Sequence, residues 1–389
     1  MGTMTFRPRR ITLPAFRPPV FTGRPHDART ATAVGRWLGA AFAVCFATGL
    51  VSHYLQHPPD WLSNSLPPRP VWGYRLTQGL HVATGLAAIV LLLVKLWAVY
   101  PRLFVWPPVR SWRHALERLS VAVLVASALF QVLTGLLNIA EWYPWPFSFV
   151  PVHFAVAWVV AGSVLLHVAV KAPQIGAHWR RTSEGTLALP AEDVRDRRSL
   201  LLGTGAAVGA VTLTTVGQTF TPLKSLDLLA PRHPDHGPQG LPVNRTAAAA
   251  GVSASGLRAW RLEVTGPRPY TLTLDALREL PRTTARLPIA CVEGWSADAR
   301  WEGVRVRDLV ARAGGRPGHD GVRVTSLEQA GAYRVMEMGA DYADDPLSLL
   351  ALTLNGQVLS LDHGFPARII APNRPGVLQT KWVHRLEVL

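Results

Sequence analysis

The chain contains two cysteines, and they lie in different surroundings. Cys45 belongs to a long apolar segment, whereas Cys291 stands between the apolar run LPIA and the acidic, glycine- and tryptophan-containing turn VEGW. Two cysteines are too few for a disulfide scaffold or a zinc cluster. A lone cysteine is most often a small buried side chain, but a thiolate is also a soft ligand for a transition metal. Both interpretations of Cys291 stay open on residue type alone.

Histidines form the second group of residues that could do chemistry. His153 and His167 are fourteen residues apart in one apolar segment. On a helix they return to nearly the same face, with an axial separation of about 21 Å. His81, in another apolar segment, lies at a depth similar to that of His153. The spacing resembles that of membrane cytochromes b, and ionisable residues inside membranes are usually functional. We predict that His81 and His153 ligate a haem b iron, with His167 a candidate ligand for a second haem.

The elements that must position these histidines are apolar segments in the first half of the chain. Each has roughly the ~20 residues that cross the hydrocarbon of a bilayer. The alternative, buried helices of a large soluble protein, fits the insertion rules poorly. A weaker fifth segment, rich in Gly, Ala and Thr, follows. The four main segments span about 34–54, 76–100, 116–140 and 150–172, and the fifth spans about 200–220.

The distribution of the basic residues supports a membrane protein. The net charge of +15 comes mainly from arginines at the amino end, between the second and third segments, and after the fourth. The two alternate loops carry few or none, which is the positive-inside pattern. It predicts a multi-pass protein of the bacterial plasma membrane, with those three regions in the cytoplasm. Because the positive-inside pattern accounts for the positive charge, the charge does not indicate a nucleic-acid partner. The predicted partner is membrane lipid.

The residues around the fifth segment indicate how the rest of the chain would cross the membrane. Arg197 and Arg198 precede it and resemble a twin-arginine export signal, although an ordinary positive-inside flank is the alternative. No clear cleavage site follows, so we expect an anchoring helix with the remaining residues outside the cytoplasm. The predicted division is a cytoplasmic tail 1–33, a four-helix domain 34–172, a cytoplasmic linker 173–198, a fifth helix 199–220, a linker 221–240 and a catalytic domain 241–389.

The last part of the chain has the pattern of a mixed α+β domain. Short strand-like runs alternate with turns, and LNGQV is a hairpin signal. About 150 residues are enough for an independent core. The predicted fold is therefore multidomain, an all-α transmembrane bundle followed by an α+β domain.

Two stretches of this domain resemble the sulfite oxidase family of molybdopterin enzymes. They are ACVEGWSADARWEGVRVRDLV and LDHGFPARIIAPNRPGVLQTKWVHRLEV, which occur in the expected order and at compatible spacing. The resemblance implies a molybdenum–molybdopterin cofactor with the Cys291 thiolate as metal ligand. A metal keeps such a thiol deprotonated.

The same resemblance implies the residues that bind the pterin. A phosphate and polar ring edges need donors, such as one planar guanidinium and one ammonium. Glycines at 364 and 376 would let the backbone approach the ligand closely. The arginines that hold sulfite in the family are not identifiable, although Arg300 and Arg334 are candidates. The implied pterin-binding residues are Asn244, Ser326, His363, Arg368 and Lys381.

Together these observations predict a membrane-anchored molybdopterin oxidoreductase. Its substrate would be a small oxo-anion or a sulfoxide, oxidised or reduced by oxo transfer outside the membrane. Electrons would pass through the haem b module, with a quinone as a further candidate partner. One alternative keeps the molybdenum enzyme but makes the helices a haem-free anchor for a separate electron carrier. Another is a non-catalytic membrane sensor. The oligomeric state is left open.

Overall fold

The structure is a computed structural model that describes His26 and residues 28–63, 66–104, 107–180 and 191–389. Most of the predicted cytoplasmic tail, 1–33, lies outside the described residues, as does the stretch 181–190 of the predicted cytoplasmic linker. The remaining chain forms a helical part followed by a part that contains both strands and helices. Long apolar helices followed by a mixed α and β domain were predicted, and this order is confirmed.

Five helices of the first part are long and apolar enough to cross a membrane, judged by length and composition. Large apolar side chains are exposed on their outer faces, for example Leu165, which is 71% exposed, and Leu119, which is 60% exposed. Such faces are typical of helices that contact lipid rather than water. The five are α1 (Ala28–Gln56), α3 (Gly73–Val99), α4 (Trp112–Ile139), α5 (Phe149–Arg180) and α6 (Ala191–Val216), and a short α2 (Asp60–Ser63) follows α1.

The helix ends differ from the predicted segments mainly around the fourth loop. α5 continues through Pro173 to Arg180, and α6 already begins at Ala191. The predicted linker 173–198 is therefore largely helical where it is described. Polar and basic residues at helix ends escape a search for apolar runs, because only the middle of a helix must be apolar to cross the hydrocarbon.

The second part of the chain is built from two five-stranded sheets with short helices between them. The first sheet has the order β2-β1-β10-β5-β6, in which β1 and β10 are parallel and the other pairs antiparallel. The second has the order β3-β4-β7-β8, with β9 also paired to β7. The strands are β1 (Arg261–Thr265), β2 (Tyr270–Thr273), β3 (Thr283–Ala290), β4 (Ser296–Arg305), β5 (Val322–Ser326), β6 (Val335–Met338), β7 (Leu349–Leu354), β8 (Gln357–Val358), β9 (Arg368–Ile370) and β10 (Val383–Val388). The short helices are α7 (Leu274–Arg278), α8 (Val306–Arg312) and α9 (Ala340–Asp344).

The sequence pattern did not predict the long hairpin formed by β3 and β4. The pair is in register from Thr283–Gly303 to Ala290–Ser296. Its inward positions are buried and small or apolar, for example Leu287 and Ala299. Arg286, Arg300 and other polar residues alternate with them on the outer face, and Pro288 interrupts the apolar run. The alternation is therefore present but weak, since many of its inward residues are alanine.

The two parts of the chain contact each other directly. Asn373 of the second part accepts a hydrogen bond from the backbone N–H of Tyr74 at 2.6 Å and donates one to Pro67 O at 2.7 Å. Arg75 Nη1 lies 3.1 Å from both carboxylate oxygens of Asp298. The residues from 221 to 240, predicted as a linker, pack against the second part through Gln239, whose side chain donates to Val358 O at 2.9 Å.

Candidate functional site

Cys291 lies at the tip of the hairpin between β3 and β4. Its N–H donates to Trp295 O at 2.9 Å, and the N–H of Gly294 donates to Cys291 O at 3.1 Å. Gly294 has a φ of +95°, a conformation that glycine adopts without strain. The turn therefore holds the thiol at one fixed end of a paired ladder. A site on such an element is positioned more rigidly than one on a long loop.

The thiol is buried in a small polar cluster. Asn244 Nδ2 donates to Cys291 Sγ at 2.7 Å, and the thiol lies 2.6 Å from Glu293 Oε2, to which it donates. Trp295 Nε1 donates to Asn244 Oδ1 at 3.1 Å and so orients the amide. Burial and the Glu293 carboxylate raise the pKa of Cys291 well above its usual range, and burial raises the pKa of Glu293 to about 7. In the cofactor-free protein this thiol stays protonated, so binding of a metal cation would release its proton.

Arg368 brings a buried positive charge to the same region. Its guanidinium donates to His363 O at 3.1 Å and to Gln379 O at 3.3 Å, and it packs 5.1 Å from the centre of the Trp301 ring. Its Nε is buried without a hydrogen-bond partner, and burial lowers its pKa to about 9. A buried guanidinium bonded only to carbonyls and lacking a partner at Nε suits an anionic ligand.

Lys381 and His363 flank this guanidinium. Lys381 Nζ donates to Arg245 O at 2.5 Å and to Asp362 O at 2.9 Å. Burial and the Arg368 charge lower the pKa of Lys381 to about 7. His363 is 3% exposed, and its Nε2 lies 2.8 Å from Pro238 O. Burial and Arg368 lower the pKa of His363 to about 4, so the imidazole is neutral at neutral pH.

One cavity joins these residues. Its empty volume is about 890 Å³, and Asn244, Cys291, His363, Arg368 and Lys381 all line it. Gly376 also lines it, and Gly364 lies just behind, where a Cβ atom would come 3.0 Å from Lys381 Cβ. The tertiary fold therefore brings two stretches that are about 70 residues apart in sequence to the wall of a single cavity.

Three residues singled out in the sequence lie elsewhere. The Ser326 hydroxyl donates to Lys381 O at 2.7 Å and accepts from the Glu328 N–H at 3.1 Å, so it braces the backbone behind Lys381. Arg300 is exposed on β4 and Arg334 is exposed beside β6. None of the three is among the residues that line the cavity.

Sequence reasoning missed several residues of the cavity wall. Gln379 and Thr380 line it, and Gln379 Oε1 and Thr380 Oγ1 are buried without a hydrogen-bond partner. Trp295 and Tyr333 line it as well. Their position in the sequence could have identified two of them, because Gln379 and Thr380 directly precede Lys381. Orphaned polar atoms in a cavity wall are candidates for bonds to a polar ligand.

A second cavity lies among α1, α3, α4 and α5, with an empty volume of about 1880 Å³. His81 and His153 line it, and their ring centroids are 6.1 Å apart. His81 Nδ1 lies 2.8 Å from Cys45 O, and His153 Nδ1 lies 3.0 Å from Thr134 Oγ1. Each ring is thus anchored through Nδ1, which leaves Nε2 as the ligand atom, as in many metal-bound histidines.

Glycines make room for both rings. A Cβ atom at Gly49 would come 2.8 Å from the His81 ring, and one at Gly135 would come 3.4 Å from the His153 ring. The remaining wall is mostly apolar. These features fit a flat, apolar macrocycle held between two imidazoles. His167, the candidate ligand for a second haem, does not line this cavity.

Comparison with known proteins gives consistent results for the second part of the chain. Residues 249–389 match the family model described as the oxidoreductase molybdopterin binding domain. An uncharacterized oxidoreductase, YuiH of Bacillus subtilis, is 32% identical over 33% of this chain and 64% of its own length. Mitochondrial sulfite oxidase of Drosophila melanogaster is 30% identical over 33% of this chain and 27% of its own length. The protein-methionine-sulfoxide reductase catalytic subunit MsrP of Gluconobacter oxydans is 29% identical over 33% of this chain and 47% of its own length. The chain therefore spans less than two thirds of each of these relatives, and in each case the match covers a third of the chain.

Proposed function

We propose that this chain, in which residues 249–389 form a molybdopterin-binding oxidoreductase domain of the sulfite oxidase type, is a membrane-anchored enzyme that transfers an oxo group to or from a small substrate. The observation that carries the proposal is the shared cavity, whose wall contains Cys291 together with His363, Arg368 and Lys381. The same group of residues speaks against a non-catalytic sensor, which would not need them together.

Five residues of the cavity would have a role in holding the cofactor. Cys291 would bind the metal through sulfur, with Asn244 orienting the thiolate by its hydrogen bond. Arg368 and Lys381 would hold the phosphate of the pterin, and the neutral His363 would contact its ring. When bound, the molybdenum–pterin group would supply oxo exchange coupled to two electrons. The buried wall keeps water away from these charges, which strengthens their interaction with an anionic ligand.

We propose a chemical class of substrate and not a single compound. The relatives named above include a sulfite oxidase and a methionine-sulfoxide reductase. Sulfite and a sulfoxide differ in charge but both exchange one oxygen atom at sulfur. We therefore assign a small oxo-anion or sulfoxide, with the direction of the reaction left to the substrate test.

The helical part is proposed to connect the catalytic cavity to the membrane. His81 and His153 would ligate one haem b through Nε2, and that haem would supply one-electron transfer when bound. Five apolar helices and the positive-inside pattern support a multi-pass protein of the bacterial plasma membrane with the catalytic domain outside the cytoplasm. A quinone in the surrounding lipid is the proposed two-electron partner, and Arg197–Arg198 would direct export of the folded domain.

One experiment tests the proposal and its rivals. Purified protein is analysed for molybdenum and for a haem band in the reduced-minus-oxidised spectrum, and is then screened with sulfite and with sulfoxides. We expect both cofactors and turnover of one substrate class. Molybdenum without haem would favour a haem-free anchor served by a separate carrier, and the absence of both would favour a sensor.

Two variants test the molybdenum ligand and the haem ligands separately. Cys291→Ser should abolish turnover, because an alcohol is a poor ligand for this centre, while the haem band stays. His153→Ala should remove the haem band, because one axial ligand is lost, while molybdenum stays. Retention of the haem band in either His153→Ala or His81→Ala would refute the ligand assignment.

A further inference from the structure

We infer that Gln78 of α3 is a positioning residue that holds the segment after Cys291 against the helical cavity, so that electrons cross directly between the two cavities. The inference rests on the proposed function, because it concerns the path between the molybdenum site and the haem. The inference adds one specific contact, between Gln78 and Val292, to that path. With this contact, no mobile electron carrier would be needed between the two sites.

Two consecutive residues of the chain line the two different cavities. Cys291 lines the catalytic cavity, and the next residue, Val292, lines the helical cavity together with His81 and His153. A single peptide unit therefore links the sulfur-bearing residue to the histidine-lined cavity. Electron tunnelling weakens steeply across empty gaps, so a bonded path of this kind is much better than a jump through space.

Gln78 completes the path on the helix side. Its Nε2 donates to Val292 O at 2.8 Å, and its side chain is only 5% exposed. Gln78 also lines the helical cavity and precedes His81 by three residues, so both side chains lie on the same face of α3. A hydrogen bond thus joins the helix that carries His81 to the segment that carries Cys291. Asn138 of α4 makes a longer contact with the same carbonyl at 3.4 Å.

The segment is held on its other side as well. The Thr219 hydroxyl donates to Gly294 O, and the Ser296 N–H donates to Gln218 O at 2.7 Å. A Cβ atom at Gly294 would come 2.7 Å from Val82 of α3, so the backbone itself packs on the helix. These contacts make the turn a fixed part of the boundary between the two parts of the chain, not a mobile loop.

The electrons balance in either direction. Oxidation of a substrate X with water yields XO, two protons and two electrons, and the two electrons would leave one at a time along the Val292 segment to a haem held by His81 and His153. A quinone would then take up both electrons and two protons. Reduction of XO runs through the same residues in reverse, with a quinol as the donor.

The test measures the transfer step without a substrate. A laser flash on a flavin generates a semiquinone that reduces the haem of the whole purified protein by one electron. The subsequent reoxidation of the haem, as the electron passes to the molybdenum, gives the intramolecular rate. We expect Gln78→Leu to slow this phase several-fold, because the shorter of the two hydrogen bonds to Val292 O is lost and only the longer one from Asn138 remains. The molybdenum content should not change, and the haem midpoint potential is measured in both proteins so that the two rates are compared at a known driving force.

Thr77→Val is the matched control. Thr77 neighbours Gln78 on the same helix, and its hydroxyl bonds only to Tyr74 O and Ser52, away from the Val292 segment. This variant should keep the wild-type rate. An unchanged rate in Gln78→Leu, with both cofactors present, would overturn the inference but leave the proposed function standing. Wild-type protein without haem would instead overturn the proposed function, and the inference with it.

Discussion

At the scale of single residues, burial decides the charge state of the groups around the catalytic cavity. His363 and Lys381 both have lowered pKa values, of about 4 and about 7, because each is removed from water beside the Arg368 guanidinium. Within the described part of the chain, Arg368 itself bonds to two carbonyl groups and has no carboxylate partner. The cavity therefore carries positive charge that a bound anion would offset, and a neutral imidazole that can contact an uncharged ring.

A prediction at this scale concerns the pH dependence of stability. In the unfolded chain His363 takes up a proton below about pH 6.5, but in the folded protein it does so only near pH 4. The unfolded state thus binds more protons between these values, so stability falls as the pH is lowered. His363 alone should cost about 2 kcal/mol between pH 7 and pH 5. His363→Gln, whose amide can still donate to Pro238 O, should lose this part of the pH dependence in the free energy of unfolding. An identical pH dependence in both proteins would contradict the assignment.

At the scale of elements, the β3–β4 hairpin carries the site and β7 supports it. β4 pairs with β7 through a register shift between Glu302 and Gly303. At Gly303 a Cβ atom would come 2.1 Å from Leu350 O and 2.6 Å from Ala351 Cα. Backbone atoms cannot move aside as the end of a flexible side chain can. The close approach of these two strands therefore requires glycine at this position.

The corresponding prediction is that Gly303→Ala destabilises the catalytic domain. The added methyl group forces β4 and β7 apart, which should cost about 1–3 kcal/mol in the free energy of unfolding. Thermal unfolding of the purified protein would show this as a lower midpoint.

Gly256→Ala is the control for this change. Gly256 is exposed, and its nearest contact would be Ser253 Oγ at 3.6 Å, which is an ordinary distance. Equal midpoints for the two variants would show that the strand contact is not as close as described.

At the scale of the whole molecule, the second part of the chain caps one of the long apolar helices of the first part. The first N–H groups of a helix have no partner within the helix. At α3 the side chain of Asn373, far along the chain, accepts from the N–H of Tyr74 at 2.6 Å. Asn373 has a φ of +51°, and the Tyr342 hydroxyl donates to its carbonyl at 3.0 Å. The domain therefore caps the helix that carries Gln78 and His81.

Loss of this cap should be visible at a single amide. In Asn373→Ala the N–H of Tyr74 loses its acceptor, a change worth about 1 kcal/mol. Its hydrogen exchange should then become about fivefold faster. Asn355→Ala is the control, because Asn355 also has a φ of +51° but bonds to Gln239 and Arg300 in a hairpin. Unchanged exchange at Tyr74 in Asn373→Ala would argue against the capping contact.

Local patterns and two motifs were enough for the broad architecture and for some of the residues that line the cavity around Cys291. Apolar runs revealed the long helices, because a helix that can cross the hydrocarbon must be apolar through its middle. A pair of motifs led to Cys291, His363, Arg368 and Lys381, which the structure brings to one cavity. The β3–β4 hairpin was not predicted, because alanines at its inward positions weaken the alternation of apolar and polar residues.

What only the tertiary structure decided is which residues meet across the chain. Ser326 was expected in the cavity but braces the backbone behind it, whereas Gln379 and Thr380 line the wall. The contacts of Gln78 with Val292 and of Asn373 with Tyr74 join residues more than 200 positions apart. No local pattern contains such pairs, because packing of separate elements, and not the spacing along one helix or strand, sets the distance between their side chains.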